Sequence, residues 1–272
     1  RGDKTTDLHF IDQRLKRKGR IAPANAIVVH PFGRHCMGFK SAGEIDVLDV
    51  VDEVSRNYKI DQDRVILMGF SMGGAGAWHV GAHYADRWAA VAPGAGFAET
   101  KEYNKMTPDN YPGPFVQKLW GLYDIPGYVR NLFNVPVVAY SGENDKQIQA
   151  AQVMERAFEN EGEKLVHLIG PKMGHTYHPE TLKEIMQRMH EASISGRPVM
   201  PNSVSLQTQT LRYHSAYWVT LVGLEEHWRD ARVDANISDG KITVKSQNVS
   251  ALRLTPAVDA IKSCEIDGQV IK

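Results

Sequence analysis

Val65-Ile-Leu-Met-Gly-Phe-Ser-Met-Gly-Gly74 decides how this chain is read. An apolar run of strand length ends in Gly69-Phe70-Ser71-Met72-Gly73, and a small-residue stretch, Gly74-Ala-Gly-Ala-Trp-His-Val-Gly-Ala-His83, continues as a helix. G-x-S-x-G between a strand and a helix is a nucleophile elbow: a sharp, strained turn that lifts a serine hydroxyl off the end of a sheet. Glycines at 69 and 73 are expected because side chains there would collide across the turn. The helix that follows aims its N-terminus at the hydroxyl and favours negative charge there. A bare G-x-S-x-G is common by chance; the strand and helix on either side make this one specific.

Outward from the elbow, strands and helices alternate. Residues 7–18 read as a short amphipathic helix, and Ala26-Ile-Val-Val29 as a buried strand ending at Pro31 and Gly33. Ile45, Leu48, Val50, Val51 and Val54 form a stripe at helical spacing over 43–58. Trp88–Pro93, Val135–Tyr140 and Leu165–Ile169 read as strands, and 147–161 and 179–193 as helices, the last with proline at its start. This alternation predicts an α/β fold built on a doubly wound, mostly parallel sheet. Residues 97–134 lack a clean period and are rich in aromatics and proline, so they are expected to be a functional insert.

Gly196-Arg-Pro-Val-Met-Pro201 is the expected domain boundary. Beyond it the period becomes two, with hairpin signals at Asp239-Gly240 and Asp267-Gly268. The expectation is a catalytic domain over 1–196 and a small all-β, sandwich-like domain over 202–272. Tyr213, Tyr217, Trp218 and Trp228 could serve there as a sugar-binding face; a small hydrophobic core is the preferred reading.

Bulk composition narrows the function. The 272 residues hold 42% apolar residues, too many for a disordered chain, and are long enough for one large domain and a smaller one. Lys+Arg and Asp+Glu are 32 each, which argues against nucleic acid or an anionic membrane as the main partner. No apolar run approaches membrane-spanning length. Cys36 and Cys264 are expected to be separate thiols, and they leave the compartment unreadable.

A serine hydroxyl needs a base, and the base needs an orienting carboxylate. Ser141-Gly-Glu-Asn-Asp-Lys146 follows the strand over 135–140 and offers Asp145 as the acid, with Glu143 as alternative; Asp145 would also suit a helix cap. Gly170-Pro-Lys-Met-Gly-His-Thr-Tyr-His178 follows the next strand and offers His175 as the base, favoured over His178 because it lies nearer the strand end. His79 and His83 lie on the helix after the serine and read as packing or surface residues. Histidines 9, 30 and 35 could line a mouth, but no metal-ligand spacing such as H-E-x-x-H occurs, so neither a metal nor a cofactor is expected. The backbone N–H of Met72 is the expected oxyanion donor.

Ile60-Asp-Gln-Asp-Arg-Val-Ile-Leu-Met-Gly-Phe-Ser-Met-Gly-Gly74 and Ala82-His-Tyr-Ala-Asp-Arg-Trp-Ala-Ala-Val-Ala-Pro93 resemble the prolyl-oligopeptidase/esterase branch of the α/β-hydrolases, which includes polyhydroxybutyrate-depolymerase-like and feruloyl-esterase-like carboxylesterases. Phe32-Gly33-Arg34 with Gly43-Glu-Ile-Asp-Val-Leu-Asp49 resembles the segment after strand four of that group. The resemblance spans about residues 1–195. It implies that Arg1-Gly2-Asp3 continues the loop that begins the oxyanion site, that Arg1 or Gly2 sits beside that site, and that strands one to three lie outside this chain. It implies a serine hydrolase acting on a small-molecule or polysaccharide-linked ester through an acyl-enzyme; the aromatic insert over 97–134, with Trp120 and Tyr123, is the expected substrate pocket. An oligopeptidase is the alternative, although no repeat of propeller-blade length occurs here. A binding module that keeps the fold without catalysis is the other.

Overall fold

The computed structural model describes residues 6–17, 19–34, 37–256 and 261–271. They form two compact units, one ending at Gln62 and one beginning at Asp63.

The first unit holds two helices. α1 (Asp7–Lys16) is capped by Thr6, whose hydroxyl accepts the His9 N–H at 3.2 Å. α2 (Ala42–Asn57) forms as expected, but it buries Gly43, Glu44 and Val47, while Ile45 and Val50 of the predicted stripe are exposed and Leu48, Val51 and Val54 are half-buried. Arg34 grips Asp46 of α2 with two hydrogen bonds, 2.7 and 2.9 Å, and Phe10 packs on Phe32 at 5.3 Å. The strand expected at 26–29 does not form. A strand must satisfy its backbone on a neighbour, and no described residue of this unit pairs with it, so Ile27 and Val28 stay exposed.

The second unit opens with a four-stranded parallel sheet in the order β1 (Ile66–Phe70), β2 (Ala90–Gly94), β3 (Val138–Gly142), β4 (Val166–Gly170). Between the strands lie α3 (Met72–His83), the short helices α4 (Thr100–Tyr103) and α5 (Pro114–Trp120), and α6 (Ile148–Asn160); α7 (Pro179–Ser195) follows β4, with Pro179 in its first turn. Side-chain alternation puts helices on both faces. Ala90, Ala92, Val138 and Tyr140 pack with Ile185 and Met189 of α7. Val91, of opposite parity, touches α3, where a Cβ added at Gly81 would lie 2.7 Å from it. The fold is therefore α/β with a doubly wound parallel sheet.

The C-terminal strands make two further sheets. One has the order β10–β7–β6 (Val249–Leu254, Val219–Leu224, Ser215–Ala216), and the other β12–β11–β9–β8–β5 (Gln269–Ile271, Ser263–Ile266, Lys241–Gln247, Ala231–Ser238, Ser203–Thr208). All pairings are antiparallel except β9 with β11. Both predicted hairpin turns form with left-handed backbone at both residues: Asp239 and Gly240 at φ 52° and 79°, Asp267 and Gly268 at φ 49° and 82°. Val204, Leu206, Val219, Leu221, Val233 and Val244 bury one shared core between the sheets. Trp218 is buried in this core and Tyr217 packs against it, which favours the core reading of those two, whereas Tyr213 is buried against His83 of α3. β7 starts two residues later than expected because Tyr217 takes a left-handed conformation, φ 52°.

One fastening in this unit is invisible to periodicity. The insert ends in a 3-10 stretch, Ile125–Asn134, that lies along the open edge of β5. Asn131 accepts from Gln207 N at 2.6 Å and donates to Gln207 O at 3.1 Å; Asn134 does the same with Ser205, at 3.0 and 2.6 Å. Three residues of a 3-10 helix rise about 6 Å, and two residues of a strand about 6.6 Å, so the amides fall in register with the strand edge and satisfy it. Arg130 adds an ion pair to Asp234 of β8 and another to Glu161, both at 2.6 Å.

Candidate active site

Ser71 sits where β1 turns into α3. Its backbone is at φ 58°, ψ −118°, a conformation rare for any side chain but glycine, held by its own N–H donating to Gly94 O at 2.8 Å. The turn closes tightly only because residue 69 lacks a Cβ: one built there would lie 2.0 Å from the Gly73 carbonyl. Gly74 has the same need, since its Cβ would meet Gly94 O at 2.1 Å. Gly73 departs from expectation. A Cβ there meets no described atom within 4 Å, so the crowding of the turn falls on residue 69 and not on residue 73.

Met72 is the first residue of α3, so its N–H has no acceptor one turn back in the helix. Arg1 and Gly2, the other residues expected at the oxyanion site, lie outside the described residues, as do His35 and Cys36.

The loop after β3 carries both candidate acids and separates them. Asp145 is buried, and its Oδ2 accepts from His175 Nδ1 at 2.8 Å while Oδ1 accepts the Gln147 N–H at 2.9 Å. Glu143 turns outward and accepts the Lys172 N–H at 2.6 Å. The loop after β4 separates the two histidines. His175 Nε2 lies 2.8 Å from Ser71 Oγ, whereas His178 caps α7, its Nδ1 accepting the Thr181 N–H at 3.4 Å. A carboxylate only accepts, so Nδ1 of His175 carries the proton and Nε2 accepts from the serine hydroxyl. Ser71, His175 and Asp145 thus form one hydrogen-bonded chain across the carboxyl ends of β1, β3 and β4.

The loops are pinned to each other. Asn144 N–H donates to Met173 O at 2.8 Å, and a Cβ at Gly142 would strike Gly174 O at 2.2 Å, so acid and base loops touch backbone to backbone. Phe70 packs on the His175 ring at 4.9 Å and on Tyr177 at 4.7 Å. Burial pushes the Tyr177 and Tyr140 hydroxyls above the ordinary phenol range, so both stay protonated at neutral pH.

A second serine–histidine–acid chain lies beside the first. His167 of β4 meets Ser141 Oγ through Nε2 and Glu155 through Nδ1, both at 2.9 Å. Ser141 is wholly buried within β3 and has no helix N-terminus ahead of it, so no carbonyl can reach it. Here serine, histidine and a glutamate tie β3, β4 and α6 together.

Trp120 ends α5 and meets Tyr111 edge to face, 6.4 Å apart. Tyr123, whose backbone N–H donates to Trp120 O at 2.7 Å, has its ring 6.2 Å from that of His79. His79 and His83 are buried in an aromatic cluster in which His83 stacks on Tyr213 at 3.6 Å.

The model of the prolyl oligopeptidase family matches residues 39–191, more than half of the chain. The chain belongs to the prolyl oligopeptidase family. As a member it is a serine α/β-hydrolase by family, with the nucleophile elbow and the two loops that meet it inside the matched span. No curated protein sequence matches it. Among solved structures it is similar to SOBER1 of Arabidopsis thaliana (16% identity over 56% of this chain and 63% of that one, TM-score 0.39). It is also similar to an S-formylglutathione hydrolase of Agrobacterium tumefaciens (16%, 54% of each chain, TM-score 0.42) and to a Bacteroides ovatus chain assigned as a dipeptidyl aminopeptidase IV (13%, 57% of this chain and 22% of that one, TM-score 0.45). The chain thus spans less than two thirds of each of these structures. No helix among the described residues is long and apolar enough to cross a membrane.

Proposed function

We propose that this family member hydrolyses carboxylic esters through an acyl-enzyme on Ser71. The observation that carries the reading is the unbroken hydrogen-bond chain from Ser71 through His175 to Asp145, 2.8 Å at each link, with the serine in a strained turn.

Ser71 Oγ attacks the ester carbonyl as its proton passes to His175 Nε2. Asp145 holds the imidazole in the required tautomer and stabilises the imidazolium. Its second oxygen is tied to Gln147 N–H, so it cannot swing away. The tetrahedral oxyanion takes the Met72 N–H, aided by the N-terminal end of α3. Collapse breaks the acyl–oxygen bond, and the leaving alkoxide takes the proton from His175. Water, deprotonated by the same Nε2, then releases the acid and restores Ser71. The His175 ring is 43% exposed in its side chain against 4% for Asp145, so water and leaving group reach the base and not the acid. Trp120 and Tyr123 of the insert are proposed to contact substrate.

Turnover of p-nitrophenyl acetate, with the acyl-enzyme trapped and located on Ser71 by mass spectrometry, tests the reading. Turnover that survives Ser71→Ala removes it. Peptide hydrolysis is the second reading, favoured by the family match. Parallel assays on an aryl ester and a proline-containing peptide separate the two. A fluorophosphonate that fails to label Ser71 would instead leave a non-catalytic scaffold.

A further inference from the structure

The insert leaves β2 next to Gly94, whose carbonyl binds the Ser71 N–H, and so starts at the elbow. Within it, three separate pieces build a corner. Tyr111 follows a 3-10 turn at Pro108–Asn110, Trp120 closes α5, and their rings stand at 89° to each other. Lys101 of α4 fills the corner, its Nζ 5.0 Å from the Tyr111 centroid and 5.9 Å from that of Trp120. Asp124, just beyond Trp120, ties α4 in place by accepting from Thr100 N and Oγ1 at 3.0 and 2.6 Å.

Two carboxylates flank Lys101 in sequence, and neither takes its charge. Glu99 caps α4, accepting the N–H groups of Lys101 and Glu102, and Glu102 pairs with Arg156. Among the described residues no carboxylate pairs with Lys101, and its ammonium rests on two π faces. Such a corner attracts a cation whatever chain carries it. A primary ammonium is strongly hydrated and gives up much of that on entering, whereas a quaternary ammonium is weakly hydrated and gives up less. We propose that the Tyr111–Trp120 corner is a subsite for an alkylammonium head group of the substrate, with Lys101 as its internal occupant. The role in turnover rests on the esterase reading; the binding does not.

Ligand-observed NMR on the Ser71→Ala protein tests the binding without turnover. Choline is expected to bind saturably, and its neutral isostere, with carbon in place of nitrogen, to bind about tenfold more weakly. Lys101→Met should tighten choline by about tenfold by removing the competitor. Trp120→Leu should abolish binding, with Tyr111→Leu as the second variant and circular dichroism to exclude unfolding. Equal binding of choline and the isostere overturns the proposal, as does unchanged or weaker binding to Lys101→Met. In the Ser71-containing protein, Lys101→Met should raise kcat/KM for a choline ester relative to its neutral isostere. If the NMR result holds while neither ester is turned over, the hydrolase reading fails and the subsite stands.

Discussion

The hydroxyl of Tyr140 accepts the backbone N–H of His178 at 2.8 Å and donates to Thr176 O at 2.8 Å, so one phenol on β3 brackets the loop that presents His175 to Ser71. Removing that oxygen leaves the ring and its packing on Tyr177, 4.6 Å away, in place. Tyr140→Phe should lower kcat by up to about thirtyfold with KM nearly unchanged, since the two lost hydrogen bonds are worth about 1 kcal/mol each. Steady-state kinetics on an aryl ester, with a thermal midpoint to show that the fold persists, check this. Equal losses in kcat and stability-corrected active fraction would mean that the hydroxyl only supports folding.

The two acids of the β3 loop make a sharp pair. Asp145→Asn should leave His175 in the wrong tautomer and cut turnover by about 10⁴-fold. Glu143→Gln, whose carboxylate accepts the Lys172 N–H, should stay within about threefold of the parent because a neutral–neutral hydrogen bond replaces it. Comparable losses in both variants would move the acid role away from Asp145.

Gly69→Ala and Gly73→Ala separate crowding from mere glycine richness. The first places a methyl 2.0 Å from the Gly73 carbonyl and should destabilise by about 2 kcal/mol or more, opening the elbow. The second meets nothing and lies in the first turn of α3, where alanine is a better helix former, so its stability should match or exceed the parent. Urea denaturation midpoints decide it.

His83 sets an acid limit on stability. Burial, with the neighbouring His79 and Arg212 acting in the same direction and a His79 backbone acceptor opposing, holds its imidazole well below the ordinary histidine range. The unfolded chain takes up a proton near pH 6.5 and the folded chain does not, so this contribution is full above pH 6.5 and is lost as pH falls below it. The slope from this group approaches about 1.4 kcal/mol per pH unit. His83→Phe, which keeps a ring on Tyr213, should flatten the acid limb of a stability-versus-pH profile between pH 6.5 and 5. An unchanged limb would assign the acid sensitivity elsewhere.

Local pattern carried much of this protein. Apolar runs of strand length at 65–69, 88–93, 135–140 and 165–169, separated by helical stripes, dictate a parallel sheet with helices on both faces, because each βα unit buries its apolar residues only that way. The chain order of serine, acid and histidine was legible for the same reason, as each polar group sits in the loop or turn that follows an apolar run. So were the Asp-Gly turns, whose left-handed backbone is a property of two adjacent residues.

Tertiary structure decided what depends on distances between elements. Sequence placed Asp145 and Glu143 two residues apart on one loop, and His175 and His178 three apart on another; only the packing of Gly142 against Gly174 turns one member of each pair inward. It also left 26–29 without a ladder partner among the described residues, set Asn131 and Asn134 on the edge of β5, and put Lys101 between the rings of Tyr111 and Trp120. Periodicity reports which face of an element is apolar; it holds no information about which atoms of another element will lie 3 Å away, and hydrogen bonds, clashes and cation–π contacts are settled at that range.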